Sequence, residues 1–261
     1  MFKRRFLSLL ALCGVLAVGR PIPCRAQALE TETARFAPRG AFEVDASYEF
    51  QTSREGTESA IPLAFEYALT DRLALLTEPV PYTRIRPSVA PGASGVGDIE
   101  VTLSGLVRVE TRTVPALAVA GEVKVPTAEA PLIGSDHYDG TAYLIASKRL
   151  GPVDIHANLG YTVVGHPRGL AVHNTFDYAL AGEYVLDPRW SLLAEVVGNT
   201  AALPEAASAT ESTVAPEISG GETVGMLGLR WKWTPSLAAS LGVTVDNNSA
   251  VLLRPGLTVR F

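Results

Sequence analysis

Most of the chain alternates apolar and polar residues with a period of two. In the stretch AFEVDASYEF, residues 41–50, the apolar side chains share one face, and Glu43, Asp45 and Glu49 share the other. Successive side chains of a β-strand point to opposite faces, so a strand produces this separation and a helix does not. The pattern predicts an all-β protein, because it recurs in the stretches 98–110, 153–165, 175–186, 236–246 and 251–261.

Turn-forming residues divide the chain into about twelve strands. Tight turns at 70–72, 150–152, 187–189 and 234–235 alternate with longer links rich in Pro, Gly, Ala and Ser. The strands approach the ~9–11 residues of a tilted transmembrane strand, and an even number with short turns at one end is typical of outer-membrane barrels. We expect an antiparallel up-and-down transmembrane β-barrel with strands near 40–51, 58–69, 73–84, 97–110, 115–126, 140–149, 152–165, 174–186, 190–200, 222–233, 236–246 and 251–261.

The residues on the two faces indicate which one meets lipid. The apolar face carries aromatic residues near strand ends, as interfacial girdles require, whereas the other face is small and charged. Basic residues that face lipid at the midplane cost roughly 2–4 kcal/mol each and acids somewhat less, so the charged face should point inward. The predicted lipid-facing aromatic residues are Phe42, Tyr48, Phe50, Tyr161, Phe176, Tyr178, Tyr184, Trp190, Trp231 and Trp233.

Four prolines lie in or near the predicted strands. A closed barrel has no free edge where a missing N–H would be harmless. We therefore expect Pro62, Pro79, Pro81 and Pro255 to mark strand ends or bulges, and the second and third strands to be the least regular.

The N-terminus has the features of a secretory signal peptide. Lys3, Arg4 and Arg5 precede the apolar run at 6–19, and the small residues of AQA at 26–28 fit a signal peptidase site. The run has 14 residues, short of the ~20 that cross a bilayer as a helix, so a retained anchor is the minor alternative. We expect a signal peptide at 1–28 and a barrel at 29–261. Both cysteines lie in the leader, which leaves no disulfide or thiolate metal site in the mature chain.

Charge narrows the expected partners. The chain has a net charge of −5, and loss of the leader removes five basic residues and no acid, which gives −10. A chain this acidic, without a basic stripe, is not expected to bind nucleic acid. We expect a Gram-negative outer-membrane protein with membrane lipids and the barrel-assembly machinery as partners, and with no cofactor. A soluble periplasmic barrel is a further alternative.

The polar face projects thirteen acids and seven bases into the lumen. They could form ion pairs that close a narrow barrel, or line a partly hydrated passage with a mild preference for cations. Twelve strands lie between the ~8 of filled barrels and the ~16–18 of open porins, so we expect a narrow channel for passive uptake of small molecules. A structural or surface-interaction barrel with a plugged lumen is the alternative. The predicted lumen-lining residues are Glu43, Asp45, Glu49, Glu66, Asp98, Glu100, Arg108, Glu122, Lys124, Asp154, His156, Asp177, Glu183, Glu195, Arg230, Lys232, Arg254 and Arg260, with Glu110, Lys148 and Asp246 beside them.

The final strand, LRPGLTVRF, has no polar tail. Val251, Leu253 and Leu257 should face lipid while Arg254 and Arg260 face inward, and this strand must pair with the first to close the barrel. Outer-membrane barrels resemble this chain in their terminal aromatic residue. We therefore expect Phe261 to serve as the signal that the assembly machinery reads.

Several motifs together resemble a known family of outer-membrane barrels. They are GAFEVDASYEF, PLAFEYALTDRLAL, GVGDIEVTLSGLVR, VPTAEAP and KRLGPVDIHANLGYTVVG, and they span most of the mature chain. The family is described as MetA-pathway of phenol degradation proteins, or simply as transporters. The resemblance implies a monomeric or weakly associated barrel found among genes for small aromatic compounds, so hydrophobic or aromatic molecules are the expected cargo. It implies no agreed substrate and no catalytic residues.

Candidate chemistry in the loops is sparse. Ser135, Asp136 and His137 are adjacent, but neighbours on a strand alternate in direction and do not easily form a triad. His166 and His173 share one loop and could hold a metal with His137, although loop histidines are more often plain surface residues. We predict no enzymatic activity, no catalytic residues and no metal site.

Overall fold

We describe a computed structural model of the chain that covers residues 29–130, 132–166, 171–202 and 221–261. The described residues form sixteen β-segments and no helix, so none of them belongs to a helix long and apolar enough to cross a membrane. The predicted signal peptide lies outside the described residues. The segments are β1 Phe42–Ser47, β2 Glu49–Thr52, β3 Gly56–Ala60, β4 Leu63–Thr70, β5 Leu73–Pro79, β6 Thr83–Pro87, β7 Ala93–Gly95, β8 Ile99–Arg108, β9 Ala116–Val125, β10 Asp139–Leu150, β11 Val153–Val163, β12 Thr175–Val185, β13 Trp190–Asn199, β14 Thr223–Thr234, β15 Leu237–Asp246 and β16 Val251–Arg260.

The sixteen segments make a closed barrel of twelve antiparallel strands. Four strands are each split into two segments, β1 with β2, β3 with β4, β5 with β6, and β7 with β8. The last strand closes the barrel, because β16 pairs with both β1 and β2. At the junction the backbone N–H of Phe261 donates to the carbonyl of Phe42 at 2.8 Å, and the two rings stack with centroids 6.2 Å apart. The predicted fold class, strand count and closure are confirmed.

Prolines lie at or opposite three of these splits. The N–H of Tyr48 donates to the carbonyl of Pro255 at 3.0 Å, and that of Ser47 donates to the carbonyl of Pro62 at 3.1 Å. Neither proline has an N–H to return the bond, so the ladder is interrupted there. Pro79 ends β5 and Pro81 lies in the gap before β6, as expected. The expectation for Pro255 is wrong, since it lies inside β16 and the irregularity falls on its partner Tyr48.

Exposure along the strands is the reverse of that in a soluble barrel. In β13 the apolar Trp190, Leu192 and Val196 are exposed, whereas Ser191 and Glu195 are buried. Elsewhere on the exterior, Leu227 is 71% and Trp233 is 67% exposed. An exterior this apolar requires an apolar solvent, which argues against the soluble periplasmic alternative.

The two ends of the barrel differ in their connections. We call the end with the short connections 71–72, 151–152, 186–189 and 235–236 the turn end, and the opposite end, which includes the link 126–138, the loop end. Trp190, Trp231 and Trp233 stack on the exterior near the turn end, with centroids 5.7 and 5.4 Å apart. The chain enters β1 from the turn end, so the described residues that precede β1 approach the lumen from that end.

Candidate functional site in the barrel lumen

Residues 29–39, which we call the N-terminal segment, enter the lumen from the turn end. The N–H of Arg39 donates to Asp71 Oδ1 at 2.9 Å, beside a short turn. Deeper in the barrel the N–H of Ala34 donates to Ser147 Oγ at 2.9 Å. At the inner end, both oxygens of Glu195 accept backbone N–H groups, from Glu30 at 3.1 Å and Thr31 at 2.6 Å. The segment therefore occupies the turn-end half of the lumen.

Small inward residues of the wall make room for the N-terminal segment. Ala34 and Phe36 pack over an alanine-rich patch of β9 and β10, and Leu29 packs into a second apolar niche formed by β12, β13 and β14. The segment is thus held by apolar packing as well as by hydrogen bonds. The first patch consists of Ala116, Ala118, Ala120 and Ile145, and the second consists of Ala181, Leu193 and Met226.

Arg35 joins the N-terminal segment to the wall at the turn end. Its guanidinium reaches Glu110 Oε2 at 2.6 Å and Asp154 Oδ1 at 2.7 Å. Each acid has a second base: Lys148 lies 3.0 Å from Glu110, and Arg149 lies 2.6 Å from Asp154. Glu110 and Asp154 therefore each contact two bases. Charges away from water are tolerated when they are paired in this way.

Two further ion pairs complete the turn-end half. Arg230 Nη1 lies 2.7 Å from Glu183 Oε2, and Arg260 Nη2 lies 2.5 Å from Glu43 Oε2. Both side chains of the Arg260–Glu43 pair are at most 5% exposed. Lys232 approaches Glu183 at 3.8 Å. The charges of Glu183 and Glu43 are thus neutralised locally.

Hydrogen bonds hold the pKa of Glu110 far below its usual range, at about 2. The backbone N–H of Arg149 contributes most, followed by the side chains of Lys148 and Arg35, and all three favour the charged carboxylate. Glu110 lies in the connection after β8 at the turn end. It therefore stays ionised through the physiological pH range and keeps its pairs with Arg35 and Lys148.

A cavity of about 490 Å³ lies between the inner end of the N-terminal segment and the loop end. Nine carboxylates line it, and Arg254 is the only basic residue among its described lining residues. Arg254 lies 2.5 Å from Glu30 and 2.7 Å from Glu49. We call this space the loop-end cavity; its acids are Glu30, Glu32, Asp45, Glu49, Glu78, Glu100, Glu122, Asp177 and Glu222.

Some acids of the loop-end cavity are direct neighbours across strands. Glu78 of β5 lies opposite Glu100 of β8 in the pairing register. Like charges placed directly opposite destabilise a sheet. On its other side Glu100 lies opposite Lys124 of β9. A base therefore lies at the edge of this group of acids.

Tyr143 provides an aromatic surface in the same cavity. It lies opposite Gly160 in the register, and a Cβ at Gly160 would come within 2.7 Å of the Tyr143 ring. The glycine thus leaves the space that the ring occupies. The Tyr143 hydroxyl points towards Glu122 Oε1, 3.4 Å away.

The predicted lumen residues separate into two groups. Those near the turn end are paired, and they include His156, which is buried with Nδ1 2.8 Å from Ser147 Oγ. Glu66, which is half-buried, lies opposite Glu43. Glu195 holds the N-terminal segment. The group at the loop-end cavity consists of Asp45, Glu49, Glu100, Glu122, Asp177 and Arg254.

The prediction for Arg108 is wrong. A bulge between Leu106 and Arg108 shifts the alternation by one residue, so Arg108 pairs with Leu117. Leu117 is exposed on the outer face, and cross-strand partners share a face. Arg108 is accordingly exposed at the turn end, and Leu106 packs inward near Ala34 and Phe36.

The Ser135–His137 stretch anchors a loop and does not form a triad. His137 Nδ1 lies 2.7 Å from the backbone carbonyl of Ser135, and the Ser135 hydroxyl accepts a hydrogen bond from Lys124 Nζ at 2.9 Å. Lys124 also pairs with Asp139. Asp98 fixes the start of the same loop by accepting the N–H groups of Thr127 at 3.0 Å and Ala128 at 2.9 Å. Among the described residues, no group of three or more His, Cys, Asp or Glu could hold a metal ion.

The alternation of apolar and polar residues indicated neither the N-terminal segment nor the inward position of Glu78. The signal for the segment was the run LETETARF between the predicted cleavage site and the first strand, in which acids and an arginine precede any alternating pattern. Glu78 lies in the strand that Pro79 and Pro81 made irregular, so its orientation could not be predicted from the alternation.

Solved structures of other proteins share the fold of this chain. No family model and no curated protein matches the sequence. Among solved structures, an outer membrane channel from Pseudomonas putida F1 aligns with a TM-score of 0.66 at 16% identity, over 89% of this chain and 100% of that chain. The KdgM porin aligns with a TM-score of 0.55 at 11% identity, over 84% and 99% of the two chains. The fold is that of an outer-membrane β-barrel.

Proposed function

We propose that the protein is an outer-membrane channel for passive uptake of small molecules and that its narrow lumen favours cations over anions. The loop-end cavity is the observation that supports this proposal. Nine carboxylates against one arginine among the described lining residues attract cations and repel anions, and the confined space strengthens both effects. The N-terminal segment narrows the rest of the path, so large solutes are excluded.

The proposed cargo is a small molecule with an aromatic or apolar part and a positive charge. Leu29, Leu63 and Tyr143 line the cavity beside the carboxylates. The apolar part of such a molecule can contact these three side chains, and its positive charge can contact the carboxylates. The resemblance to the MetA-pathway family also favours small aromatic compounds. The KdgM porin has been solved with oligogalacturonate, a polyanion that this acid-lined cavity would repel.

Liposome swelling and bilayer recordings test the proposal. With purified full-length protein, benzylamine should enter liposomes faster than benzyl alcohol, and benzyl alcohol faster than benzoate, which are of similar size. In a potassium chloride gradient the reversal potential should have the sign of cation selectivity. Equal or faster entry of benzoate would contradict the proposed preference.

A sealed structural barrel is the second candidate, and the N-terminal segment is the observation that favours it. The segment packs against the wall with polar and apolar contacts and occupies half of the lumen. A sealed barrel should show neither ion conductance nor solute entry. Conductance of the full-length protein at the level of empty bilayers would therefore favour this candidate.

The proposed location is the outer membrane of a Gram-negative cell, with the loop end outside. The apolar exterior and the aromatic residues near strand ends support it. We propose that Phe261 is read during assembly, because its backbone and ring contact Phe42 at the closing seam. Deletion of Phe261 should reduce the heat-modifiable, folded fraction in membranes, whereas a deletion within residues 203–220 should not.

A further inference from the structure

We propose that cleavage after Ala28 creates an α-ammonium group at Leu29 that supplies a cation to the loop-end cavity and fixes the N-terminal segment in the lumen. This inference does not depend on solute passage, since a sealed barrel could use the same contact. It assigns a structural role to the product of signal-peptide removal.

The position of Leu29 supports the proposal that its α-ammonium group reaches the loop-end cavity. Its side chain is 8% exposed, packs against Ala181, Leu193 and Met226, and lines the loop-end cavity. The next backbone nitrogen, that of Glu30, lies 3.1 Å from Glu195 Oε2. One residue spans at most about 3.6 Å, so the Leu29 nitrogen lies no farther than roughly 7 Å from that carboxylate.

The charges around the Leu29 nitrogen support the proposal that its α-ammonium group fixes the N-terminal segment in the lumen. Arg254, the only base among the described lining residues, already pairs with Glu30 and Glu49. The other carboxylates of the cavity repel one another in a confined space, and a nearby opposite charge relieves this repulsion. A free α-ammonium group offers three donors and a full positive charge at neutral pH, whereas the amide of an uncleaved chain is neutral.

Insertion of the N-terminal segment into the lumen therefore depends on removal of the signal peptide. Glu195 is the positioning residue, because its two oxygens already hold the N–H groups of Glu30 and Thr31. The charge appears only when the leader is cut, after export. A chain that keeps its leader would lack this contact while retaining the hydrogen bonds at Ala34 and Arg35.

The first experiment locates and probes the terminus. Mass spectrometry of protein extracted from membranes should show Leu29 as the first residue, and a start at any other position overturns the proposal. An amine-reactive probe at pH 7 should label the terminus of the folded barrel at least about tenfold more slowly than that of the urea-unfolded chain. Glu195→Gln should speed this labelling, whereas Glu55→Gln, at an exposed loop tip, should not.

The second experiment removes only the charge. Chains that begin at Leu29 are refolded with a free or an acetylated N-terminus, and their urea midpoints are compared. The acetylated form should unfold at lower urea at pH 7, and the difference should vanish at a pH well above the usual α-amino pKa of about 8. Equal midpoints at pH 7 would overturn the role of the charge, whatever the conductance of the barrel.

Discussion

The two halves of the lumen carry similar numbers of charged side chains but treat them differently. In the turn-end half the acids of the Arg35 cluster and of the Arg260–Glu43 and Arg230–Glu183 pairs each lie beside a base. Nine carboxylates line the loop-end cavity, where Arg254 is the only base among the described lining residues. The first arrangement closes a narrow barrel, and the second leaves an electrostatic field that acts on whatever enters.

This difference shows that inward charge has two uses in one barrel. Paired charges allow the wall and the N-terminal segment to pack together without leaving a buried ion alone. Cross-strand neighbours of like charge such as Glu78 and Glu100 reduce stability, so the loop-end cavity keeps its acids at a cost to the fold. The following predictions test whether the halves are as distinct as the contacts indicate.

Deletion of residues 29–39 should have the largest effect. The shortened chain should still close, because β1 begins at Phe42 and its pairing with β16 does not use the segment. Conductance in planar bilayers should rise severalfold, because the segment occupies the turn-end half of the lumen. Unchanged conductance would show that the segment does not limit the path.

Arg260→Met should have the next largest effect. Glu43 would remain buried without this partner, and removal of one partner of a buried pair typically costs about 3–5 kcal/mol. The free energy of unfolding in lipid vesicles, measured by urea titration, should fall by this order. Arg112→Met, on an exposed connection at the same end, is the matched control and should change little. A small loss for Arg260→Met would mean that water reaches the pair.

The sequence predicted the wall better than the contents of the lumen. The period of two and the turn residues were sufficient for twelve strands and for their closure, because strand orientation is a local property. A local pattern does not report a segment without alternation, so the N-terminal segment was missed. Alternation also fails across a bulge, which is why Arg108 was assigned to the wrong face. Which inward acid meets which base depends on register between strands and cannot be read from one strand alone.

The same substitution should have opposite signs in the two halves. Glu78→Gln removes a like charge opposite Glu100, so it should raise the free energy of unfolding by about 0.2–1 kcal/mol. Glu183→Gln leaves the buried Arg230 without its carboxylate and should lower the free energy of unfolding by about 1–3 kcal/mol. Urea titration of both variants under one condition checks the comparison.

Selectivity provides a second test of the same pair of variants. Glu78→Gln should shift the reversal potential towards anions, because Glu78 lines the loop-end cavity. Glu183→Gln should shift it less, since Glu183 is already neutralised by Arg230 and Lys232. Changes of the same sign and size in both variants would remove the distinction between the halves.

Acidification should produce the smallest effect, and it should begin at the turn end. The folded pKa of Glu110 is about 2, below its ordinary value of 4.5, so its contribution to stability is complete above the ordinary value and is lost as the pH falls towards 2. Between pH 5 and 3 the urea midpoint should therefore fall, and Glu110→Gln should reduce this dependence. Glu129→Gln, on an exposed part of the long loop at the opposite end, should keep the full dependence. If both variants responded to pH in the same way, the Arg35–Glu110–Lys148 contacts would not be what holds the turn-end half together.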